Sequence, residues 1–542
     1  MHSADSFFEG EAGRHFLAVP GVWESSFEFF EYRGLGLYEC HFILPESGDY
    51  RLIFGGVSHT ATVRFDGMEL GSHYGAHTSF EFLLEKVEPG SHRLQVLVDN
   101  RFGPQNPLTR ARSDIYTYGG IVRSVNLEKL PNKARLDEVA VLPKREVEGW
   151  KVALSLSLTG CESGRYQLRC TLGDLEIARV SLEGGNWRGE IPIDAPELWS
   201  PETPYLHRFG IDLVERESAV TVDRFQSQIG FRTIECRGDR ILLNGQSLVL
   251  AGVNRHEFHP DFGPALPLTI HLRDLEILRL LGANFVRVSH YPSDPAFLDL
   301  CDQYGILVWE ELSHWQPTEE EMSNPAFVDA SLVELEEMVN RDRHHPCVVV
   351  WGMLNEAETD SSVAVPVVEK LTRKFRELDG TRLVAYASNR ASDLCFGFVD
   401  VAARNLYPGW YGGRLESIGA AVREQIELIR KLAGNKPVIL SEFGAAAGTG
   451  VRSFEARKWT EDYQARLLVS IIDTASSLGV SGVCVWQFCD VRTSAEHGLD
   501  RYREYNNKGL VSEYRQPKLA FEAVRVAFAR ILARVGQHAG AE

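Results

Sequence analysis

The sequence predicts a chain in which two β-sandwich domains precede a (β/α)8 TIM barrel. The chain has 542 residues, which at roughly 100–200 residues per domain is enough for about three domains. Up to about residue 236, short alternating stretches are broken by Gly, Pro, Asn and Asp, a pattern that indicates antiparallel strands. After about residue 237, short apolar runs alternate with amphipathic stretches, which is typical of parallel α/β folds.

The all-β part is predicted to form two tandem domains, residues 1–132 and residues 133–236. Stretches such as 50–54 and 92–98 in the first domain, and 152–158 in the second, alternate with period two between turn residues. Two sandwich domains are the simpler interpretation of this length. A single larger β domain is the alternative.

The third part, residues 237–542, is predicted to close into a barrel. It contains eight strand candidates, which are residues 247–253, 284–288, 307–310, 348–354, 383–388, 399–402, 438–442 and 482–488. Two of the intervening helices begin with an N-cap residue followed by proline, at Asp294-Pro295 and Asn324-Pro325. Eight strand–helix repeats over this length fit a (β/α)8 barrel.

Charge and cysteine content restrict the partners and the compartment. The formal net charge is −18, which argues against nucleic acid or an anionic membrane surface as a partner. No apolar run approaches the ~20 residues that span a membrane. The nine cysteines, an odd number without a CxxC pair, favour reduced thiols in a cytoplasmic protein, and residues 1–21 show no secretory signal. A homo-oligomer is one option for the assembly.

Two glutamates end apolar strands of the predicted barrel. Glu356 comes directly after Asn355 at the end of the fourth strand, and Glu442 ends the seventh. Active sites of such barrels lie at the carboxyl ends of the strands. One such glutamate would be interpreted as a surface residue. Two on opposite strands match the acid and the second carboxylate of a glycoside hydrolase, a chemistry for which no metal or organic cofactor is expected.

Two more side chains at strand ends fit a sugar site. His290 ends the second strand and is a candidate for a hydroxyl contact, although a structural histidine is nearly as common. Trp486 ends the eighth strand and can stack on the face of a sugar. Other catalytic patterns are missing from the sequence: the histidines of 256–259 are three apart rather than the four of the HExxH zinc motif, and neither a GxSxG elbow nor a P-loop is found.

At this point the chain resembles glycoside hydrolase family 2, and within it the β-glucuronidases. The motifs that carry the resemblance include Asn254-Arg255-His256-Glu257, Asn355-Glu356, Ser441-Glu442-Phe443-Gly444 and Val485-Trp486-Gln487-Phe488. The resemblance covers nearly the whole chain in the same order. It implies a jelly-roll, sugar-binding-like first domain, an immunoglobulin-like second domain and a catalytic barrel.

The resemblance also implies roles for individual residues. Glu356 is implied to be the acid/base and Glu442 the nucleophile of a retaining double displacement. The implied sugar contacts are Asp114, His290, Asn355, Tyr407, Tyr411 and Trp486. Asn506 and Lys508 match the Asn-x-Lys motif by which β-glucuronidases bind the C6 carboxylate, where an ammonium and an amide donate charge-assisted hydrogen bonds. The alternative for this segment is an ordinary polar turn.

The activity expected from the resemblance is hydrolysis of terminal β-D-glucuronides, on small-molecule or oligosaccharide glycosides. Two segments depart from the β-glucuronidases. Residues 315–324 are short where some bacterial members have a long loop, which suggests a more open pocket, and residues 499–505 differ, which leaves recognition at C4 undecided. A β-galacturonidase or a neutral β-galactosidase of the same family are the enzyme alternatives. A carbohydrate-binding protein on an inactive barrel is the non-enzyme alternative.

Overall fold

A computed structural model describes residues 15–103, 106–111, 113–131 and 134–538. The described chain divides into two compact units. Of these residues, the first unit contains 15–101, 119–131, 134–232 and 340–346, and the second contains 102–103, 106–111, 113–118, 233–339 and 347–538. The predicted boundary between the two β domains, at residues 132 and 133, lies outside the described residues. The other predicted domain bounds stay predictions.

The first unit contains two separate groups of sheets. The strands of the first group are β1 (Leu35–Leu44), β2 (Gly48–Phe54), β3 (Val57–Ser58), β4 (Thr60–Phe65), β5 (Met68–Tyr74), β6 (Phe80–Val87), β7 (Gly90–Asp99), β8 (Gly120–Ile121) and β9 (Val125–Lys129). They form sheets in the order β1-β7-β4-β5 and β6-β2-β9, with β3 paired to β8. Alternate residues of β2 and β4 are buried, and Leu52 and Val63 belong to one apolar core.

The second group of sheets has its own core. Its strands are β10 (Arg135–Glu146), β11 (Gly149–Thr159), β12 (Tyr166–Leu172), β13 (Leu175–Ser181), β14 (Asn186–Ile193), β15 (His207–Glu215) and β16 (Thr221–Ile229). They form antiparallel sheets in the order β10-β11-β14 and β13-β12-β15-β16. Val152, Leu168 and Ile211 lie in the core of this group. Seven strands divided three and four match the immunoglobulin-like architecture.

The second unit contains the barrel. A small sheet of β17 (Ile234–Arg237), β18 (Arg240–Leu243) and β19 (Gln246–Leu248) precedes it. The barrel strands are β20 (Leu250–Arg255), β21 (Phe285–Val288), β22 (Leu307–Glu311), β23 (Val348–Asn355), β24 (Leu383–Ser388), β25 (Ala402–Asn405), β26 (Val438–Phe443) and β27 (Gly482–Val485). All are parallel and the barrel is closed. After it, β28 (Val491–Arg492) pairs with β29 (Tyr505–Asn506).

The α-helices lie between and after the barrel strands. They are α1 (Leu268–Leu281), α2 (Pro295–Tyr304), α3 (Glu319–Met322), α4 (Pro325–Asp342), α5 (Ala364–Leu378), α6 (Ile418–Ala433), α7 (Glu461–Ser477) and α8 (Leu519–His538). In the described part of the chain, no helix combines the length and apolar character needed to cross a membrane. Both predicted N-caps are confirmed, because the side chains of Asp294 and Asn324 accept hydrogen bonds from backbone amides two residues later, at 2.9 and 3.0 Å.

All eight predicted barrel strands are present, and three of them differ by three residues at an end: the first, the sixth, and the eighth, which was expected at 482–488 but ends at Val485. The first was expected at 247–253 but begins at Leu250, because residues 246–248 form β19 and pair with β18. The sixth was expected at 399–402 but spans 402–405. Asp400 exchanges hydrogen bonds with Val384 on the preceding strand, through its amide at 2.9 Å and its carboxylate at 2.8 Å, and this turn ends where β25 begins.

Candidate active site

A cavity of about 690 Å³ lies at the carboxyl ends of the barrel strands. This is the end at which (β/α)8 barrels carry their active sites. Seven of the ten predicted site residues line it, which are Asp114, His290, Glu356, Tyr407, Tyr411, Glu442 and Trp486. The barrel therefore brings side chains from positions 114 to 486 into one cavity.

Glu442 is held by hydrogen bonds to both of its carboxylate oxygens. Arg287 Nη1 donates to Oε1 at 2.8 Å, and the Tyr407 hydroxyl donates to Oε2 at 2.7 Å. The residue is only 3% exposed, since it lies on β26 where every residue is buried. Two strong donors aimed at separate oxygens fix the orientation of the carboxylate relative to the cavity.

Opposing effects act on the pKa of Glu442. Burial raises it above its usual range, while Arg287 opposes this, nearby Glu356 adds to it, and His290 and the Tyr407 hydrogen bond lower it. The pKa of Tyr407 lies well above its ordinary value, because the ring is buried beside Glu442. Tyr407 therefore remains a hydrogen-bond donor throughout the ordinary pH range.

Glu356 occupies a more open position than Glu442. It comes directly after β23 and has a φ of 53°, a left-handed conformation that is uncommon for residues other than glycine and is frequent at functional sites. Asn405 Nδ2 donates to its Oε1 at 3.0 Å and Gln316 Nε2 to its Oε2 at 2.9 Å. It is partly exposed, and its carboxylate has no cationic hydrogen-bond partner among the described residues, since Arg390 donates only to its backbone carbonyl, at 3.4 Å. The two carboxylates therefore have different surroundings, as an acid and a nucleophile require.

Asn405 connects the two strands that carry the glutamates. Its amide nitrogen donates to Asn355 Oδ1 and to Glu356 Oε1, both at 3.0 Å, and its Oδ1 accepts a hydrogen bond from Ser441 Oγ at 2.7 Å. Asn355 ends the fourth barrel strand and Glu356 follows it, while Ser441 and Glu442 lie on the seventh. One amide side chain thus sets the spacing between the ends of these strands.

The Arg287 guanidinium is the most highly connected group at the floor of the site. It is fully buried, and its five N–H groups have acceptors on four strands: Asn254, Glu311, Asn355 and Glu442, at 2.8 to 3.0 Å. Burial alone would raise the pKa of Glu311, but Arg287 and His290 together hold this pKa below its usual range. An ionised Glu311 balances the charge of the arginine.

His290 and Trp486 form one wall of the cavity. Their rings stack with centroids 5.2 Å apart, and His290 Nδ1 lies 2.6 Å from Glu311 Oε1. With a proton on Nδ1, the other ring nitrogen is left as an acceptor. Among the described residues, neither Nε2 of His290 nor Nε1 of Trp486 has a hydrogen-bond partner. The wall thus offers one acceptor and one donor to the hydroxyls of a sugar.

Lys508 lies beside two aromatic rings at another edge of the site. It is 2% exposed, its Nζ donates to the Tyr411 hydroxyl at 3.1 Å, and it lies 5.6 Å from the Tyr407 ring and 5.3 Å from the Tyr411 ring. Burial and the aromatic faces favour a single position for the ammonium. Lys508 does not itself line the cavity, but Tyr411, to which its ammonium donates a hydrogen bond, does.

Asp114 is held by donors from the segment before Lys508. Asn506 Nδ2 donates to its Oδ2 at 3.0 Å, and Arg501 forms an ion pair with its Oδ1. Burial alone would raise the pKa of Asp114, but Arg501 and Lys508 hold this pKa below its usual range. The contact of Asn506 with a substrate carboxylate stays a prediction. In this structure the Asn506 amide contacts Asp114.

Eight residues that line the cavity are not among the predicted ones, and they are Arg110, Trp315, Gln316, Asn389, Asn405, Leu406, His497 and Arg501. Arg287 was also missed, although it lies on β21 three residues before the predicted contact His290. An arginine inside an apolar strand was the available signal, since such a residue is buried only when it is paired. Gln316 is different, because nothing in a short polar loop indicates that its amide contacts Glu356.

Comparisons with known proteins agree with this geometry. A family model described as "Glycosyl hydrolases family 2, TIM barrel domain" matches residues 234–532, and one described as "Glycosyl hydrolases family 2" matches residues 149–232. The chain is 30% identical over 543 residues to the β-glucuronidase of Mus musculus, covering 92% of this chain and 82% of that protein. The β-glucuronidase of Paenibacillus borealis is 29% identical, covering 90% and 86%.

Solved structures also match over nearly the full length. A GH2 β-galacturonidase from Eisenbergiella tayi bound to galacturonate aligns with a TM-score of 0.90 and 37% identity, covering 96% of this chain and 94% of the other. A β-D-glucuronidase from Dictyoglomus thermophilum aligns with a TM-score of 0.85 and 26% identity, covering 96% and 95%.

Replacing Arg287 by methionine is expected to destabilise the barrel by about 3–5 kcal/mol near pH 7, because buried carboxylates lose their cation. Since the pKa of Glu311 is lowered in the folded protein, its contribution is present above its ordinary pKa and is lost as the pH falls. The loss in thermal unfolding temperature should therefore shrink from pH 7 towards pH 4. Arg287→Lys, which keeps the charge, should lower the thermal unfolding temperature less than Arg287→Met does. A loss independent of pH would contradict this explanation.

Proposed function

We propose that this chain, which belongs to glycoside hydrolase family 2, hydrolyses terminal β-D-glucuronides with retention of configuration. The observation that carries the proposal is the pair Glu356 and Glu442, which reach one cavity from the fourth and seventh barrel strands and differ in burial and hydrogen bonding. A retaining glycosidase needs this difference, because one carboxylic acid must donate a proton while the other carboxylate attacks.

In the first step, Glu442 attacks the anomeric carbon and Glu356 protonates the glycosidic oxygen, so that the aglycone leaves as an alcohol. A glycosyl ester of Glu442 remains. In the second step, Glu356 removes a proton from water, the water oxygen bonds to the anomeric carbon, and Glu442 leaves as a carboxylate. Arg287 and Tyr407 favour the departing carboxylate, because they donate to its two oxygens.

Lys508 supports a uronic acid as the terminal sugar. It supplies a buried cation near the cavity of a chain whose formal net charge is −18. A carboxylate at C6 would pair with this ammonium, while a neutral hydroxymethyl group would leave a buried charge without an anion. The β-glucuronidases that this chain resembles support the same class of substrate.

A β-D-galacturonide is the second candidate substrate. The observation that favours it is the 37% identity to the Eisenbergiella tayi β-galacturonidase, against 26% to the Dictyoglomus thermophilum β-D-glucuronidase. Arg501 adds to it, because it lies in the departing segment 499–505, lines the cavity and pairs with Asp114. Glucuronides and galacturonides differ only at C4, so the surroundings of Asp114 are where selection between them is expected.

Four further predictions belong to the proposal. We propose a cytoplasmic location, supported by nine cysteines that are all unpaired in the structure. Nucleic acid remains an unexpected partner because the formal net charge is −18, and a homo-oligomer stays a prediction. The short segment 315–324 supports an aglycone site that accepts varied groups, since Trp315 and Gln316 line the cavity beside Glu356.

Glutamine at position 442 should abolish turnover of an aryl β-glucuronide, because the amide cannot form the glycosyl ester. Glu356→Gln should lower the turnover number by about 10²–10⁴-fold. The loss should be larger for an aglycone that is a poor leaving group than for a nitrophenol, since only the poor leaving group needs a proton from Glu356. Turnover numbers with a series of aryl glucuronides check both. Normal turnover by Glu442→Gln would refute the assignment.

Alanine at position 508 should lower kcat/KM for the glucuronide by about 10–150-fold, the effect of losing about 1.5–3 kcal/mol of charge-assisted hydrogen bonding. The kcat/KM for the matched glucoside should fall far less. Lys431→Ala, which removes an exposed lysine from α6, is the control for the change in net charge. Equal losses on both substrates would remove Lys508 from carboxylate recognition.

A panel of aryl β-glycosides that differ at C4 and C6 separates the candidate functions. We expect the two hexuronides to be cleaved faster than the glucoside and the galactoside, because only they carry the C6 carboxylate. Arg501→Gln should change the ratio of glucuronide to galacturonide activity more than Arg503→Gln does, since the latter pairs with Glu513 instead. Preference for a neutral sugar would support a β-galactosidase, and binding without hydrolysis a carbohydrate-binding protein.

A further inference from the structure

We propose that Asp490 and Lys518 are positioning residues, whose buried ion pair holds the backbone on both sides of Lys508 and thereby sets the preference for a hexuronide over the neutral hexoside. The inference rests on the proposed function, since it takes Lys508 as the group that binds the C6 carboxylate. Neither residue lines the cavity. Both act through the loop 506–509.

Lys518 has an acceptor for each of its three ammonium hydrogens. Its Nζ donates to Asp490 Oδ1 at 2.8 Å, to the Ala447 carbonyl at 2.9 Å and to the Asn507 carbonyl at 3.0 Å. The side chain is fully buried. With all three donors used, Lys518 cannot bind a substrate. Its position instead fixes the residue directly before Lys508.

Asp490 holds the same loop from the other side of Lys508. Its Oδ1 accepts a hydrogen bond from the Gly509 amide at 2.9 Å, and its Oδ2 accepts one from Asn507 Nδ2 at 3.2 Å. A Cβ at Gly509 would lie 2.3 Å from the Asp490 amide nitrogen, so the two backbones are in close contact. The ion pair therefore contacts residues 507 and 509 but not the side chain between them.

Two glutamines complete the support of Lys508. The backbone N–H of Gln487 donates to the Lys508 carbonyl at 3.1 Å, and Gln464 Nε2 donates to the carbonyls of Lys508 and Gly509 at 3.3 and 3.1 Å. With its backbone fixed from several directions, Lys508 has only its own rotamers to place its ammonium. Tyr411 then accepts from that ammonium at 3.1 Å.

Stability alone is a weak explanation for a pair buried in this way. Burial raises the pKa of Asp490 to about 6, although Lys518 opposes the shift. The cost of removing two charges from water offsets most of the attraction between them, so that apolar replacements are often neutral in stability. A role in fixing one loop conformation accounts for the charges, since Asp490 accepts hydrogen bonds from Asn507 and Gly509 and Lys518 donates to the Asn507 carbonyl.

The test compares Asp490→Asn and Lys518→Met with the wild type and with Asp379→Asn. Asp379 is a matched control, because it is fully buried and pairs with Arg382 at 3.0 Å but contacts no residue of the loop 506–509. The measurements are the thermal unfolding temperature and kcat/KM for two aryl β-glycosides, the preferred hexuronide and the neutral hexoside of the same C4 configuration.

We expect both loop variants to lose about tenfold or more in the ratio of hexuronide to hexoside kcat/KM, mainly through a higher KM for the hexuronide, because the lysine contact is weakened. Asp379→Asn should lower the unfolding temperature and leave the ratio unchanged. Asp490→Asn keeps the shape of the side chain and carries the test if Lys518→Met does not fold. An unchanged ratio in the loop variants, or an equal change in Asp379→Asn, would overturn the inference.

Lys508→Ala distinguishes failure of this inference from failure of the proposed function. Lys508→Ala can lower the ratio of hexuronide to hexoside kcat/KM while the variants at 490 and 518 leave it unchanged. Lys508 then binds the carboxylate without support from the ion pair, and only the positioning role is refuted. If the wild type shows no preference for the hexuronide, the proposed substrate class fails and the inference fails with it.

Discussion

The site depends on one buried guanidinium. Arg287 joins Asn254, Glu311, Asn355 and Glu442, which come from the first, third, fourth and seventh barrel strands. A planar group with five donors in a fixed geometry can satisfy acceptors only when they lie in matching positions. The charge that orients Glu442 is therefore also the connection that holds four strand ends in register. Removing it would disturb the chemistry and the barrel together.

The site supplies positive charge inside an acidic chain, and three of its cations differ in the anions that balance them. Arg287 is balanced by Glu311 and acts on Glu442. Arg501 is balanced by Asp114, and Lys508 lies beside aromatic rings with no carboxylate bonded to its ammonium among the described residues. A carboxylate on the ligand would pair with the ammonium of Lys508. The distribution of charges thus favours an anionic sugar without requiring a positive overall charge.

The sequence was sufficient to predict the barrel and the positions of Glu356 and Glu442, because both depend on local patterns of apolar runs that end in polar residues. The partners of Arg287 could not be predicted, since they lie on strands far apart in the chain and only closure of the barrel brings them together. The roles of Asp490 and Lys518 were hidden for the same reason. The sixth strand was misplaced because an apolar turn resembles a strand.

The most direct test of the account is to identify the residue that bonds to the sugar. A 2-fluoro-β-D-glucuronyl fluoride should trap the glycosyl-enzyme, because the fluorine destabilises the oxocarbenium-like transition states and slows its hydrolysis. Peptide mass mapping of the trapped protein should find the label on Glu442. A label on Glu356 or Glu311, or steady hydrolysis without any covalent intermediate, would contradict the assignment.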